Sequence, residues 1–465
     1  MGISGVIQIA KQYFLVGIVG ALILTVVFLT GYFLVYKKQM KGTKKLNPSK
    51  MALWIIFFIY IIIVMGATIG DRTPINESLN LHLFSSYIDA YNSFSLSQWR
   101  NIILNILMFV PLGFILPLLF KKCEKWYIAY SIGLGATLFI EILQHVSKRG
   151  VFELDDIVNN ALGCIIGYGV IMFINSMFRR KEKRQKVSTI IAYQIPLMVT
   201  ILSFSIIFIT YSNQELGNLS FSNSYKIDMS KIEVSTKLNL DNKPEKAYVY
   251  KALVGSEEDA TDVARDIFCK LNTNIDESQN DEYDDTIVFK SEDGNYNLWV
   301  NYKGLITWFI DVPNTKGKEN LKFKEVKNLL SKFDIELPKE STFKENGDGN
   351  YSVSLNMVKS NDVYLDGELN CTIGKNDKIS EFTNNIISYK PYKKYEIISM
   401  KEAYDKILNG EFRVFGELEK NAKIDVVEVS LNYALDSKGL YQPVYDFEMK
   451  VNGEIVSISI PALKL

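Results

Sequence analysis

Six apolar stretches in the first 210 residues constrain this chain more than any other feature. They run Tyr13–Tyr36, Met51–Ile69, Ile102–Phe120, Trp126–Val146, Ile157–Met177 and Ser188–Thr210. Each is close to the roughly 20 residues that a helix needs to cross a hydrocarbon core about 30 Å thick. At that depth the backbone must satisfy its own hydrogen bonds, so the stretches predict an all-α membrane bundle of six helices. The first is too long for the apolar part of a signal peptide, has no small-residue cleavage pattern after it and runs into lysines. It reads as a helix that stays in the membrane. From Tyr211 the chain changes character. Basic and acidic residues balance over the whole sequence, 52 against 52, but they are unevenly placed. Up to Thr210 there are 20 basic and 9 acidic residues, and from Tyr211 onward 32 and 43. A membrane half is thus followed by an acidic, polar half. This excludes a single soluble domain, a disordered chain, and a nucleic-acid binder with a basic face.

Loop charges set the expected orientation. Lys37, Lys38, Lys41, Lys44, Lys45 and Lys50 lie between the first two helices. Lys121, Lys122 and Lys125 follow the third, and Arg179, Arg180, Lys181, Lys183, Arg184 and Lys186 follow the fifth. Only Lys11, Arg72, Arg100, Lys148 and Arg149 fall on the other side. Basic short loops stay in the cytoplasm. The N-terminus and residues 211–465 are therefore expected outside the cell membrane.

That topology places several polar residues at one depth, near the outer face. Asn105 is expected in about the first turn of the third helix. Glu141 and Gln144, three apart, share a face near the outer end of the fourth, and His145 follows. Asp155, Asp156, Asn159 and Asn160 open the fifth, and Arg149 in the short connection can pair with Glu141 or either aspartate. Ionisable groups at such a depth are costly and usually face a bundle interior or a wet cavity. Plainer roles stand beside this one. The aspartates can cap their own helix, Glu141 and Gln144 can join helices, and Gly163 with Gly167 is a small-residue packing face. Pro111 and Pro117 are expected to loosen or kink the third helix.

At these residues the sequence becomes recognisable. RNIILNILMFVPLGFILP from Arg100, IEILQHVSKRGVFELDDIVNNALGCIIGY from Ile140, and NLHLFSSYIDAYN from Asn80 occur in order. Over about residues 50–178 the chain resembles the VanZ-like family of membrane proteins. By position, the family's polar residues and its helix-shaping ones fall on Asn101, Asn105, Pro111, Gly113, Glu141, Gln144, Arg149, Asp155, Asp156, Asn160 and Gly163. Glu153 stands where an aspartate is commoner. The resemblance implies a role in glycopeptide (teicoplanin-type) resistance or envelope physiology, and no reaction.

The polar half reads as α+β and extracytoplasmic. Ser256 caps a helical stretch to about Leu271, and further helical stretches cover Phe323–Phe333 and Ser399–Leu408. Strands are expected at Thr286–Lys290, Tyr296–Tyr302, Leu305–Val312, Lys423–Tyr433, Tyr445–Val451 and Glu454–Ile460, with hairpin turns at Glu292–Asn295 and Lys303-Gly304. From Ser399 and from Val426 the tail resembles YycI-type, PepSY-like extracytoplasmic regulators, which implies a β-rich unit that binds partners. Cys269 and Cys371 share this half, either as one disulfide or as two free thiols. Both histidines, His82 and His145, precede residue 211, so no Ser-His-Asp or Cys-His set lies wholly within it. The acidic run Asp281–Asp285 lacks calcium-loop spacing and reads as a solvated loop.

The expected organisation is an N-terminal helix and basic loop (1–49), a VanZ-like domain (50–178), a loop and sixth helix (179–210), and the outer domain (211–465). The sequence favours a non-enzymatic envelope protein with no cofactor and no metal. Its expected site is a polar pocket of Asn105, Glu141, Gln144, Arg149, Asp155, Asp156 and Asn160. The pocket would take a membrane lipid or a lipid-linked cell-wall precursor, with an envelope protein partner at the outer domain and no nucleic acid. An intramembrane enzyme or a flippase is the alternative, since paired carboxylates permit acid-base chemistry.

Overall fold

The computed structural model describes residues 3–43, 46–70, 79–179, 187–243, 245–252, 255–283, 285–302, 304–311, 317–360, 362–374, 377–413, 418 and 421–464. Among the residues invoked above, Lys44, Lys45, Arg72, Arg180, Lys181, Lys183, Arg184, Lys186, Asp284, Lys303 and Val312 lie outside the described residues. The chain divides into two compact units. One is Met1–Ala90 with Leu96–Gln214, the other Tyr91–Ser95 with Glu215–Leu465.

The first unit is helical. Its elements are α1 (Ile3–Thr30), α2 (Pro48–Met65), β1 (Leu79–Asn80), α3 (Ser85–Ser93), α4 (Leu96–Leu119), α5 (Trp126–Val146), β2 (Phe152–Glu153), α6 (Leu154–Arg179), α7 (Val187–Ala192) and α8 (Ile195–Asn213). π-helical segments extend α1 through Gly31–Gln39 and α2 through Gly66–Gly70. Six of these helices are long and apolar enough to span a bilayer, as the hydropathy predicts, so the chain is a multi-pass membrane protein. The α2 start is written locally: Asn47 accepts from the Lys50 N–H and Pro48 fills the first turn, where its missing N–H costs nothing.

Three expectations are corrected in detail. α4 begins at Leu96, so Asn105 sits in its third turn rather than its first. α4 also continues through Pro111 and Pro117 as one helix; the Tyr60 hydroxyl on α2 donates to the Met108 carbonyl beside that weakened stretch (3.0 Å). The sixth apolar stretch is divided, with α7 ending at Ala192 and α8 restarting at Ile195 around Pro196, which favours a new first turn.

Glycines let α4 and α6 meet backbone to backbone. A Cβ on Gly163 would stand 1.9 Å from the Ile106 carbonyl oxygen, and one on Gly167 1.9 Å from that of Val110. In return, a Cβ on Gly113 of α4 would stand 1.9 Å from the Cys164 carbonyl oxygen. Small residues four apart allow this approach in a membrane, where packing replaces the hydrophobic effect as the main attraction between helices. Phe109, Leu112, Leu116, Cys164, Tyr168 and Ile171 form the core around the contact. The outer surfaces of α1 and α8 expose aliphatic side chains such as Leu22, Val26, Ile201 and Ile206, a lipid-facing pattern.

The second unit is α+β, as expected. Its elements are β3 (Glu233–Thr236), β4 (Glu245–Ala252), α9 (Glu257–Lys270), β5 (Asp281–Tyr283), β6 (Thr286–Lys290), β7 (Tyr296–Asn301), β8 (Ile306–Asp311), α10 (Phe323–Leu330), β9 (Thr342–Gly347), β10 (Asn350–Ser360), β11 (Val363–Ile373), β12 (Ile379–Asn384), β13 (Ile387–Ile397), α11 (Met400–Leu408), β14 (Lys423–Leu435), β15 (Leu440–Val451) and β16 (Glu454–Pro461). One 14-stranded sheet runs β3-β14-β15-β4-β13-β11-β12-β8-β7-β6-β5, with β16 on β15 and β10 and β9 branching from β11. Three hydrophobic clusters among the described residues are built on it, the smallest around Tyr250, Tyr389 and Tyr441. α11 packs Ala403, Tyr404 and Ile407 against strands β4 and β13–β16. α9 and α10 pack Ala264, Phe268, Val326 and Leu330 against β6–β8 and β10–β12. Ser256 caps α9 through a reciprocal capping box with Asp259. Asp281–Tyr283 is an exposed edge strand rather than a loop, paired to β6. Cys269 is exposed, Cys371 is buried, and both are free thiols.

Candidate membrane polar site

Helical spacing arranges the polar residues in levels. Thr137, Glu141 and Gln144, at i, i+4 and i+7, share one face of α5. Asp156, Asn160, Gly163 and Gly167 share a stripe on α6. Glu141 and Gln144 are 1% and 2% exposed, Asn159 and Asn160 1% and 2%, and Thr137 is fully buried.

Hydrogen bonds tie these levels together. Next to Gly163, the Asn160 amide donates to the Thr137 hydroxyl (2.9 Å). One turn along, the Glu141 carboxylate accepts the Glu153 N–H (3.1 Å), while the Asn105 amide of α4 donates to Asp156. At the end of α5 the Gln144 amide donates to the Thr68 carbonyl (2.9 Å). The β1–β2 pair, Leu79 with Phe152 and Asn80 with Glu153, is parallel and positions the segment that approaches Glu141.

Two predicted residues point elsewhere. Asp155, 1% exposed, accepts from the Phe84 N–H (2.6 Å), the Ser86 N–H (2.9 Å) and the Ser86 hydroxyl (2.6 Å). It therefore caps α3, a helix remote in sequence, rather than its own. Arg149 is exposed and donates from Nη1 to the Ile69 carbonyl (3.1 Å), with Gly70 at 3.5 Å, rather than to a carboxylate. The expected pairing of Arg149 with Glu141 or an aspartate is thus corrected: its guanidinium closes the carbonyl end of the helix that began as α2.

Sequence reasoning passed over Thr137, Thr68, Tyr87 and the Phe84–Ser86 turn. Thr137 had a signal, since it lies four residues before Glu141 on the same face. The Tyr87 hydroxyl bonds Asn159, an arrangement with no sequence signature.

The site is incompletely satisfied. Gln144 Oε1, Asn160 Oδ1, Asn159 Nδ2 and His145 Nδ1 are buried without hydrogen-bond partners. A buried polar atom left unpaired costs roughly 1–3 kcal/mol, so each of these is a group that a further hydrogen bond would stabilise. No group of three His, Cys, Asp or Glu placed to hold a metal occurs among the described residues.

α4, α5 and α6 with their asparagines, carboxylates and facing glycines carry the motif order RN-x3-N, E-x2-Q and DD-x3-N. Residues 51–175 match the VanZ/LLP1 family model. The VanZ/LLP1 match spans α2 to α6 and agrees with the extent that the motifs imply. α1, α7, α8 and the second unit lie outside it. No curated protein matches the sequence. Among solved structures, an uncharacterized protein from Eubacterium rectale is similar at 12% identity, with 50% of this chain and 88% of that chain covered and a TM-score of 0.25. The Bacillus megaterium YpeB C-terminal domain is similar at 14% identity, with 45% and 93% covered and a TM-score of 0.19.

Proposed function

We propose that the protein is a VanZ-type component of the cell envelope that binds, rather than converts, a membrane lipid or lipid-linked cell-wall precursor. Binding takes place at an outward-facing polar site on α4, α5 and α6, and contributes to glycopeptide (teicoplanin-type) resistance. The second unit, outside the membrane, offers a surface to an envelope protein partner. The observation that supports the site is the buried ladder of Glu141, Gln144 and Asn160 with its unpaired polar atoms. A bundle needing only rigidity would satisfy or omit such groups. Asn105 and Asp156 border the ladder, Asp155 fixes α3 beside it, and Arg149 keeps N–H groups for a phosphate or carboxylate.

Glu141→Gln tests the reading, since it preserves shape and removes charge. With wild-type expression, any teicoplanin tolerance conferred by the parent is expected to fall to the level of the empty host. Full tolerance in that variant makes Glu141 structural glue and ends the proposal.

Orientation has its own measurement. In intact cells, after removal of the native cysteines, Asn295→Cys is expected to react with an impermeant maleimide and Lys122→Cys to be protected. The reverse pattern places the polar site at the cytoplasmic face.

A further inference from the structure

A second feature of the membrane unit lies apart from the polar ladder. α4, α6 and α8 line an open apolar groove of about 540 Å³, within the roughly 300–1,000 Å³ typical of ligand sites. Ile103, Leu107 and Val110 of α4 face Leu197, Ile201 and Phe204 of α8 across it. Its lining is hydrocarbon apart from Thr200 and Ser205, and the Thr200 hydroxyl is already bonded to the Pro196 carbonyl (2.8 Å). All three helices belong to the membrane-spanning set, so the groove lies at hydrocarbon depth.

One end of the groove carries a charge. Arg100, Ile103, Leu107 and Val110 follow the i, i+3, i+7, i+10 spacing of a single helix face. Arg100 thus stands one turn from the groove, toward the α4 N-terminus, in the second turn of the span. Beside it, Trp99 is buried with its ring against Phe204 (6.0 Å) and Phe208 (5.3 Å), both groove residues. Arg100 is half-buried, and its Nε is fully buried without a partner. A guanidinium with an unpaired Nε near the end of a membrane span, on the helix face that carries an apolar groove, matches one ligand chemistry: a phosphate attached to a hydrocarbon chain.

We propose that this groove holds one hydrocarbon chain of an anionic membrane lipid whose phosphate is bound by Arg100. The site does not depend on the reading of Glu141, which lies on α5, a helix that contributes nothing to the groove lining.

Native mass spectrometry of the full chain in mild detergent tests it, with dioleoylphosphatidylglycerol and dioleoylphosphatidylcholine as competing probes. One phosphatidylglycerol is expected to be retained with about tenfold preference, the scale of one charge-assisted hydrogen bond. Arg100→Gln should erase the preference and Arg100→Lys restore part of it. Ile201→Trp fills the groove and should abolish retention of both lipids; Leu107→Phe serves if that variant aggregates. Leu22→Trp, on the exposed surface of α1, should retain lipid like the parent. Retention that survives both groove-filling variants overturns the proposal, as does a preference unchanged in Arg100→Gln. Displacement of the lipid by free glycerol phosphate would show a headgroup site without a chain site, and overturns it equally.

Discussion

Gly163→Leu is expected to leave no folded membrane unit, and Gly163→Ala to leave a damaged one. A single Cβ at this position meets the Ile106 carbonyl oxygen at 1.9 Å, where ordinary contact begins at 3.4 Å. The obstacle is backbone, so no side-chain rotation relieves it. α4 and α6 must separate, and the reciprocal contacts at Gly167 and Gly113 then open as well. Overpacking a core by a methylene or two costs typically 1–3 kcal/mol; here at least about 3 kcal/mol is expected for alanine, since two helix backbones have to move. Separation also withdraws Asn105 from Asp156, so function should fall with fold. Size-exclusion profiles in detergent and thermal unfolding midpoints measure this. A monodisperse Gly163→Leu protein with the parent's midpoint would refute the close crossing of α4 and α6.

Asp155→Ala is expected to release α3 while sparing the rest of the bundle. Its carboxylate accepts three hydrogen bonds from Phe84 and Ser86 and is almost wholly buried. Bonds to a charged group contribute about 1.5–3 kcal/mol each, and their donors would be left unpaired, so a local loss of about 3 kcal/mol or more follows. Asp155→Asn keeps one acceptor oxygen and should lie between. Limited proteolysis of the Leu79–Ser93 segment in detergent reads the effect directly, with Asp156→Asn as the comparison. Cleavage no faster than in the parent, in both Asp155 variants, would mean that other contacts hold α3.

Asp155 and Arg149 show what the sequence disclosed. Hydropathy located all six spans, because a bilayer imposes length and apolarity on each helix separately. Asp155 was legible as a cap, but not as a cap of α3: the partner lies 71 residues away, and no local pattern carries such a distance. Arg149 was read through charge alone, whereas helix ends offer carbonyls that compete with carboxylates for a guanidinium. α3 escaped notice because nine residues are too few to establish a period against its polar flanks. In the second unit, the strands found were those with clean alternation or a turn beside them, such as β6, β7 and β16. β10 was missed since its register shifts between Leu355 and Val358, which interrupts the two-residue period. β13 was missed because Pro391 and three exposed lysines disguise it; the shift between Pro391 and Lys393 is what accommodates the proline.

The order of the large sheet has a consequence for biosynthesis. β3 is the first strand made after the last membrane helix, yet its parallel partner is β14, with Glu233 opposite Lys423 and Thr236 opposite Val426. Nearby, the Gly217 N–H donates to Asp436 (2.7 Å) and its carbonyl accepts from Gln442 (2.8 Å). The beginning of the unit therefore waits, unpaired, until residues 423–442 have been synthesised. Pairings so distant in sequence form slowly, because the intervening chain must first be ordered. The region from α9 to β12 shares one core and can collapse on it early, but the strands around β14 and β15 close last. A cell making this protein must keep that strand edge open throughout the interval, which makes folding factors that shield unpaired strands part of what this sheet requires.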